Sequence, residues 1–306
     1  MAALPSLRQL GYLVALSDTL HFTEAAKRCF VTQSTLSGGI MELERLLGGT
    51  LVERNRQQVR LTTLGEQVVS RGRLLLADAH DLMRLSRELS EPGTGELHLG
   101  IIPTIAPFVL PGLWAQMQTR FPRLQLRVHE VQSHVAVEKL GQGQLDLVIL
   151  ALPFDIGQLL VKPVIQESLV LIHHRQDPIA LQTEDWQALP LDRLILLEES
   201  HCLRDHTLSA CRISDRANHQ GIEASSLMTL LQMVQAQMGF SLLPSSVLQS
   251  GLLQAFPQIQ AIRVSNPPER TIALLARSST TQHAELEALS GVIENLFRVE
   301  LNSSLS

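Results

Sequence analysis

The stretch FTEAAKRCFVTQSTLSGGIMELERLLGGTLVERN, residues 22–55, decides the reading of the chain. Thr23 is placed to cap a short helix through Cys29, and Thr32 to cap a longer one through Leu47 that Gly48 and Gly49 end. Ala25 and Ala26 are small enough for two helices to approach, and Val31 falls under the turn between them. Upstream, Leu7, Leu10, Leu13 and Val14 share one face of a preceding helix. Downstream, residues 51–53 and 58–61 read as short strands around the polar tip Arg54-Asn55-Arg56-Gln57, a wing. Helix, helix, tight turn and helix is the order of a DNA-reading module. Thr32, Gln33, Ser34, Thr35 and Ser37 lie near the start of the third helix, where recognition helices meet base edges. Arg54, Arg56 and Arg60 flank the wing and suit phosphate contacts. Adjacent Gly38 and Gly39 are expected to weaken the third helix by about 1 kcal/mol each relative to alanine. Cys29, in the second helix, is expected to be core.

Beyond the wing, Thr62 is a good helix cap, and Leu61, Val68, Leu75, Leu82 and Leu89 recur every seven residues with no breaker before Pro92. Gly65, Gly72, Ala79 and Ser86, four places on, would let a second copy of this helix approach closely. Self-association into a dimer is the expectation; packing of a long amphipathic helix on its own domain is the alternative. After the hinge at residues 91–95, strand-like runs at 96–101, 125–129, 145–151, 169–173, 194–197 and 271–275 alternate with helical stretches. That alternation predicts an α/β domain with mostly parallel sheets. Ligands bind beyond strand ends in such folds, so Pro103-Thr104 is a ligand-facing loop.

With 45% hydrophobic residues among 306, the chain buries substantial cores in two or three domains, and disorder is not its main state. Residues 1–10 lack the charged head and apolar run of a secretion signal, and no run is long enough to span a bilayer, so a cytosolic location is expected. The cytosol keeps thiols reduced, so Cys29, Cys202 and Cys211 are not a disulfide framework, and any disulfide is transient. The net charge of -5 is unevenly spread: residues 1–90 carry 11 Lys and Arg against 9 Asp and Glu, and the remainder 14 against 21. The N-terminal part is therefore the end suited to nucleic acid.

The second half of the chain contains LEESHCLRDHTLSAC, residues 197–211. His201 and Arg204 flank Cys202, and such neighbours favour the thiolate, the form that attacks a peroxide oxygen. A sulfenic acid so formed condenses with a nearby thiol, and Cys211 is the other cysteine of this region. Were residues 202–211 helical, nine steps would turn about 900° and advance about 14 Å, leaving the sulfurs on opposite faces. A disulfide needs Cα atoms within about 7 Å, so oxidation would have to refold the segment. Two inert buried cysteines are the competing reading. Zinc held by His201, Cys202, His206 and Cys211 is a further one, but the spacing departs from paired structural ligands. His219 and the pair His173-His174 have no spacing that raises them above ordinary loop or strand-end residues.

The run at 22–55 resembles the winged helix-turn-helix of LysR-type transcriptional regulators, and the resemblance covers the whole chain. It extends to the long helix, a two-part sensor and the stretch from Met233 to Pro244, with departures at Ser34, Gly39 and Gln237. It implies a sensor of two Rossmann-like, periplasmic-binding-protein-like subdomains. The implied boundaries are 1–61 for the DNA-binding domain, 62–90 for the linker helix, 91–95 for the hinge, 96–165 with 268–306 for subdomain I and 166–267 for subdomain II. HCLRD, followed by a second Cys with eight residues between the two, is similar to the redox loop of the OxyR hydrogen-peroxide sensors. That similarity implies Cys202 as the peroxidatic thiol and Cys211 as the resolving one, with His201, Arg204 and Asp205 as the surrounding polar network. IIPTIAP puts Thr104, HEVQSH puts Ser133 and PERTIALL puts Arg270 at the pocket positions of those sensors. Ser200 departs from their usual glycine. The implied partners are promoter DNA, hydrogen peroxide, further copies of the chain up to a tetramer, and RNA polymerase, with no cofactor or metal and no enzymatic role. A metabolite-responsive LysR regulator, a thiol peroxidase and a solute-binding protein are the rival readings.

Overall fold

The computed structural model describes residues 4–55, 58–88, 93–178, 189–210, 222–248 and 250–303, and its contacts divide the chain into two units. The first holds three short helices, a two-stranded wing and a long helix. α1 (Leu7–Thr19) starts at Ser6, whose side chain accepts from the Gln9 amide while Gln9 returns the bond in a capping box. α2 (Phe22–Arg28) is capped by His21, whose Nδ1 accepts from the Glu24 amide, and not by Thr23 as expected. Thr23 is already inside the helix, and its hydroxyl donates to Gln33. Cys29 stands at the C-cap, half-buried and packed against the core of this unit as expected. α3 (Gln33–Leu47) is capped by Thr32 and ends at Gly48, whose φ of 68° suits a residue without Cβ.

Leu13, Leu16, Leu36, Ile40, Leu43 and Leu51 are fully buried between these helices and the wing. Gly39 lies against the ring of buried Tyr12: a Cβ there would come 2.6 Å from its Cδ2, whereas one on Gly38 would meet nothing. The wing strands β1 (Val52–Asn55) and β2 (Gln58–Leu61) pair antiparallel, and Thr62 then caps α4 (Thr63–Glu88) through the Gly65 amide. Gly65 and Gly72 serve a different purpose from the one expected of them. A Cβ on Gly65 would sit 2.1 Å from the Leu51 carbonyl oxygen, and Gly72 faces Leu10 and Val14, so this face packs on its own domain. Leu61 belongs to β2, and Leu89 lies outside the described residues. Leu75 and Leu82, in contrast, remain 51% and 68% exposed, an apolar edge that the domain does not cover.

The second unit is built on a seven-stranded sheet ordered β10-β6-β11-β5-β3-β4, with β9 also on β6. Its elements are β3 (Gly95–Ile101), α5 (Ala106–Arg120), β4 (Leu124–Glu130), α6 (Ser133–Gly141), β5 (Leu147–Leu152), β6 (Leu160–His174), β7 (Leu196–Leu197), α7 (Cys202–Ala210), β8 (Glu223–Ala224), α8 (Leu227–Gln235), β9 (Ser241–Pro244), β10 (Ile259–Ile262), β11 (Glu269–Ala276) and α9 (His283–Ser303). Among the described residues, the named strands pair parallel in β3 with β4, β3 with β5, and the separate pair β7 with β8, and an isolated parallel bridge joins Leu194 and Phe240. β11, β6, β9 and β10 pair antiparallel, which corrects the expectation of mostly parallel sheets. The reason is β6, whose first part pairs with β11 and whose last part, from Leu169, pairs with β9 and β10. One strand is thereby shared by two cores, one packed on β3, β5, α5 and α9, the other on β7, β9 and α8.

Candidate functional site

Three parallel strands deliver the site from their C-terminal ends, as parallel sheets do. Thr104 lies just after β3, Ser133 opens α6 just after β4, and Ala151 is near the end of β5. Thr104 and Ser133 are each 2% exposed. α7 begins at Cys202, which places this thiol at a helix N-terminus, where the helix dipole favours negative charge. Cys202 is itself buried and belongs to the core of β3 and β5.

Burial pushes the Cys202 thiol above its ordinary value. The Arg270 charge, a hydrogen bond with the Ser133 side chain and the Ala151 backbone pull it back down, while Asp205 pushes it further up. The groups that would stabilise a thiolate are thus already in place around a thiol that burial and Asp205 hold up. The influence expected of His201 and Arg204 falls instead to Arg270 and Ser133. His201 is within 3.3 Å of the Ser225 carbonyl through Nε2, and Arg204 donates to the Leu197 carbonyl at 3.2 Å and to Glu223 at 2.6 Å. Both side chains tie the start of α7 to β7 and the region of β8. Ser200 is likewise engaged, accepting from Gln132 Nε2 at 2.8 Å.

Arg270, 1% exposed, donates through Nη1 to Thr104 Oγ1 at 3.1 Å, through Nη2 to the Thr104 carbonyl at 3.0 Å and through Nε to Glu167 at 2.9 Å. Glu167, equally buried, also accepts from the Ser246 amide at 3.1 Å. Ser246 lies beyond β9, so one ion pair links the Thr104 loop, β6, β11 and the region after β9. Sequence reasoning missed Glu167, because nothing in its neighbourhood marks it as the partner of a residue 103 positions away. It also gave His206 no part in thiol chemistry, although that residue stands one helical turn after Cys202. Its Nε2 donates to the Pro153 carbonyl at 3.1 Å.

Cys211 lies outside the described residues, as does Arg56. Of the other residues expected at DNA, Thr32, Gln33, Ser34 and Thr35 are exposed at the start of α3, while Ser37 is half-buried. Thr32 is partly occupied with capping: its Oγ1 accepts from the Thr35 amide and lies 2.9 Å from Ser34 Oγ. Arg60 is exposed on β2, and Arg54 falls on β1. Among the described residues, no three His, Cys, Asp or Glu side chains gather as metal ligands, and no helix is long and apolar enough to cross a membrane. A cavity of about 550 Å³ opens beside the thiol region, lined by Pro103, Glu130, Gln132, His201, Ser225 and Leu252 among others.

Two family models match the chain: the bacterial regulatory helix-turn-helix of the lysR family over residues 7–66, and the LysR substrate binding domain over 90–298. The chain is 56% identical to the HTH-type transcriptional regulator EstR of Acinetobacter baylyi, over 97% of this chain and 98% of that protein. It is 35% identical to a probable hydrogen peroxide-inducible genes activator of Streptomyces viridosporus, over 96% and 95%. Full-length OxyR from Pseudomonas aeruginosa has the same fold, with a TM-score of 0.78 and 34% identity over 95% of each chain. A helix-turn-helix with a wing, a long helix and a two-core α/β sensor, matched along nearly its whole length, make this chain a member of the LysR family of DNA-binding transcriptional regulators, with OxyR-like relatives.

Proposed function

We propose that this regulator responds to hydrogen peroxide through a reversible Cys202–Cys211 disulfide and so activates oxidative-stress genes. The observation that carries the reading is a buried thiol at a helix N-terminus, hydrogen-bonded to Ser133, near Arg270, which itself holds Thr104. The Cys202 sulfur attacks one peroxide oxygen; the S–O bond forms, the O–O bond breaks and water leaves. Hydroxyls of Ser133 and Thr104 suit the leaving oxygen, and the Arg270 guanidinium stabilises the charge that develops. Cys211 then displaces the sulfenic hydroxyl as a second water. α7 runs from Cys202 through Ala210, so its eight steps hold the two ends about 12 Å apart, beyond disulfide reach. Closing the bond therefore unwinds α7, together with the β7 and β8 contacts that His201 and Arg204 make. Asp205, on the same helix, completes the polar set.

The output side of this proposal is a DNA interface of Thr32, Gln33, Ser34, Thr35 and Ser37 at base edges, with Arg54, Arg56 and Arg60 on phosphates. Residues 62–90 form the dimerisation helix, with Leu75 and Leu82 as its exposed seam, and four chains assemble on a promoter to engage RNA polymerase. The sensor divides into 96–165 with 268–306, and 166–267. It works in the cytosol, whose thiol reductants reset it, and one slow cycle suffices, so it is a switch and not an enzyme. A second reading has its own support. The cavity beside His201 has the size of a small-molecule site, which favours a metabolite effector. A promoter fusion in cells carrying Cys202→Ser separates the two: the peroxide reading expects loss of induction by peroxide, the metabolite reading an unaltered inducible response.

A further inference from the structure

His206 is a buried imidazole that the scheme above leaves unused. It is 7% exposed, and its Nε2 donates to the Pro153 carbonyl, which fixes the tautomer and leaves Nδ1 as an acceptor. That Nδ1 is fully buried and has no hydrogen-bond partner among the described residues. A buried acceptor without a donor forfeits its hydration with nothing in return, so its presence asks for a reason.

Three observations place the imidazole on the thiol's side of α7, with no hydrogen bond joining the two at rest. His206 follows Cys202 by four residues on α7, the spacing that puts two side chains on one helical face. Helical side chains lean toward the helix N-terminus, so the imidazole covers the turn that Cys202 occupies. Both residues also anchor on the same strand exit: the thiol against the Ala151 backbone, the imidazole on the Pro153 carbonyl.

Resting on the peroxide reading, we propose that His206 Nδ1 accepts the Cys202 thiol proton as the sulfur attacks peroxide. Hydroxide from bulk water does not reach a thiol 3% exposed, and a free thiolate is penalised there, so the proton needs a local acceptor. As the S–O bond forms and the O–O bond breaks, the thiol proton passes to Nδ1 and then to the departing hydroxide, which leaves as water. Sulfur is oxidised to the sulfenic acid, peroxide is reduced, and the imidazole is regenerated. The groups facing His206 suit a brief visit by the proton and no longer stay. Burial and Arg270 of β11 oppose the imidazolium, while Asp205 of α7 and the Pro153 carbonyl favour it.

The test is the rate of sulfenic acid formation at Cys202 in the full-length Cys211→Ser protein, trapped with dimedone and read by mass spectrometry between pH 5.5 and 9. With His206 intact, the rate should stay level through neutral pH and fall only below the ordinary histidine range. His206→Gln keeps a donor for the Pro153 carbonyl but has no basic nitrogen; its rate should drop about 100-fold at pH 7 and climb about tenfold per pH unit. A His206→Gln rate within threefold, or a uniform loss with an unchanged pH profile, overturns the inference. Should that variant not fold, the parent profile still decides: a tenfold rise per pH unit throughout means that no local base acts. If peroxide leaves Cys202 unmodified at every pH, the peroxide reading itself fails, and this inference with it.

Discussion

Replacing Arg270 by methionine is the perturbation whose cost is most directly calculable. The guanidinium is completely enclosed and makes its ion pair with Glu167 at 2.8 Å, with both side chains at most 1% exposed. Methionine fills much of the volume but leaves the Glu167 carboxylate buried without its counter-charge, and the Thr104 hydroxyl and carbonyl without their donor. Breaking one side of a buried pair costs about 3–5 kcal/mol, which in a domain of this size lowers Tm by about 6–20 °C. Adding Glu167→Gln should restore about half or more of that loss. No net charge then stays buried, and the Gln oxygen still accepts from the Ser246 amide. Urea and thermal unfolding of the single and double variants form the cycle. A loss below about 1 kcal/mol for Arg270→Met, or a double variant no better than the single one, would refute the view that this pair clamps the site.

Gly38→Ala should stabilise α3 by up to about 1 kcal/mol, since its Cβ enters open space, whereas Gly39→Ala should destabilise it by driving a methyl into Tyr12; hydrogen exchange of the α3 amides reads both. Ser200→Gly removes the bond from Gln132, a net contribution of about 1 kcal/mol, and should speed peroxide-driven disulfide formation about fivefold; an unchanged rate would mean that this contact does not restrain α7. The Cys202 thiol is raised above its ordinary value of 9.0 in the fold, so above that pH the unfolded chain releases a proton that the folded one retains. Its contribution is present below pH 9 and is lost as pH rises further, so the stability of wild type relative to Cys202→Ser should decline from pH 8 to 10. His206 is depressed by burial, so its contribution is present above the ordinary 6.5 and is lost as pH falls. The acid limb of the stability curve should flatten in His206→Gln, as chemical denaturation between pH 5 and 7 would report.

Local chemistry is what the sequence exposes. Thr32, Thr62 and Gly48 declare helix ends because capping is settled within three or four residues, and the structure has each in that role. His21 displaced Thr23 because a ring nitrogen can cap as a hydroxyl does, which side-chain preference alone ranks poorly. The direction of the sheet was hidden, because β6 and β11 meet across about a hundred residues and Lys162 and Pro163 mask the first part of β6 as a strand. Pro163 is tolerated beside a register shift opposite Ile272 and Ala273, where one ladder bond is already missing. Within the site, Thr104 was legible from its strand end and Cys202 from its flanking motif, whereas Ser133 and Arg270 were placed only by the family resemblance. Glu167 was not legible, since only the assembled sheet brings it to Arg270. Gly65 and Gly72 misled for a related reason: a heptad pattern does not say which partner fills it, and both face their own domain.

The account stands most directly on what happens to Cys202 when the intact protein meets a brief pulse of hydrogen peroxide. Peptide mass analysis should find residues 202 and 211 joined in one cross-linked species, lighter by two hydrogens and restored by a thiol reductant. Two unmodified thiols after exposure, with the regulator still responsive in cells, would contradict it.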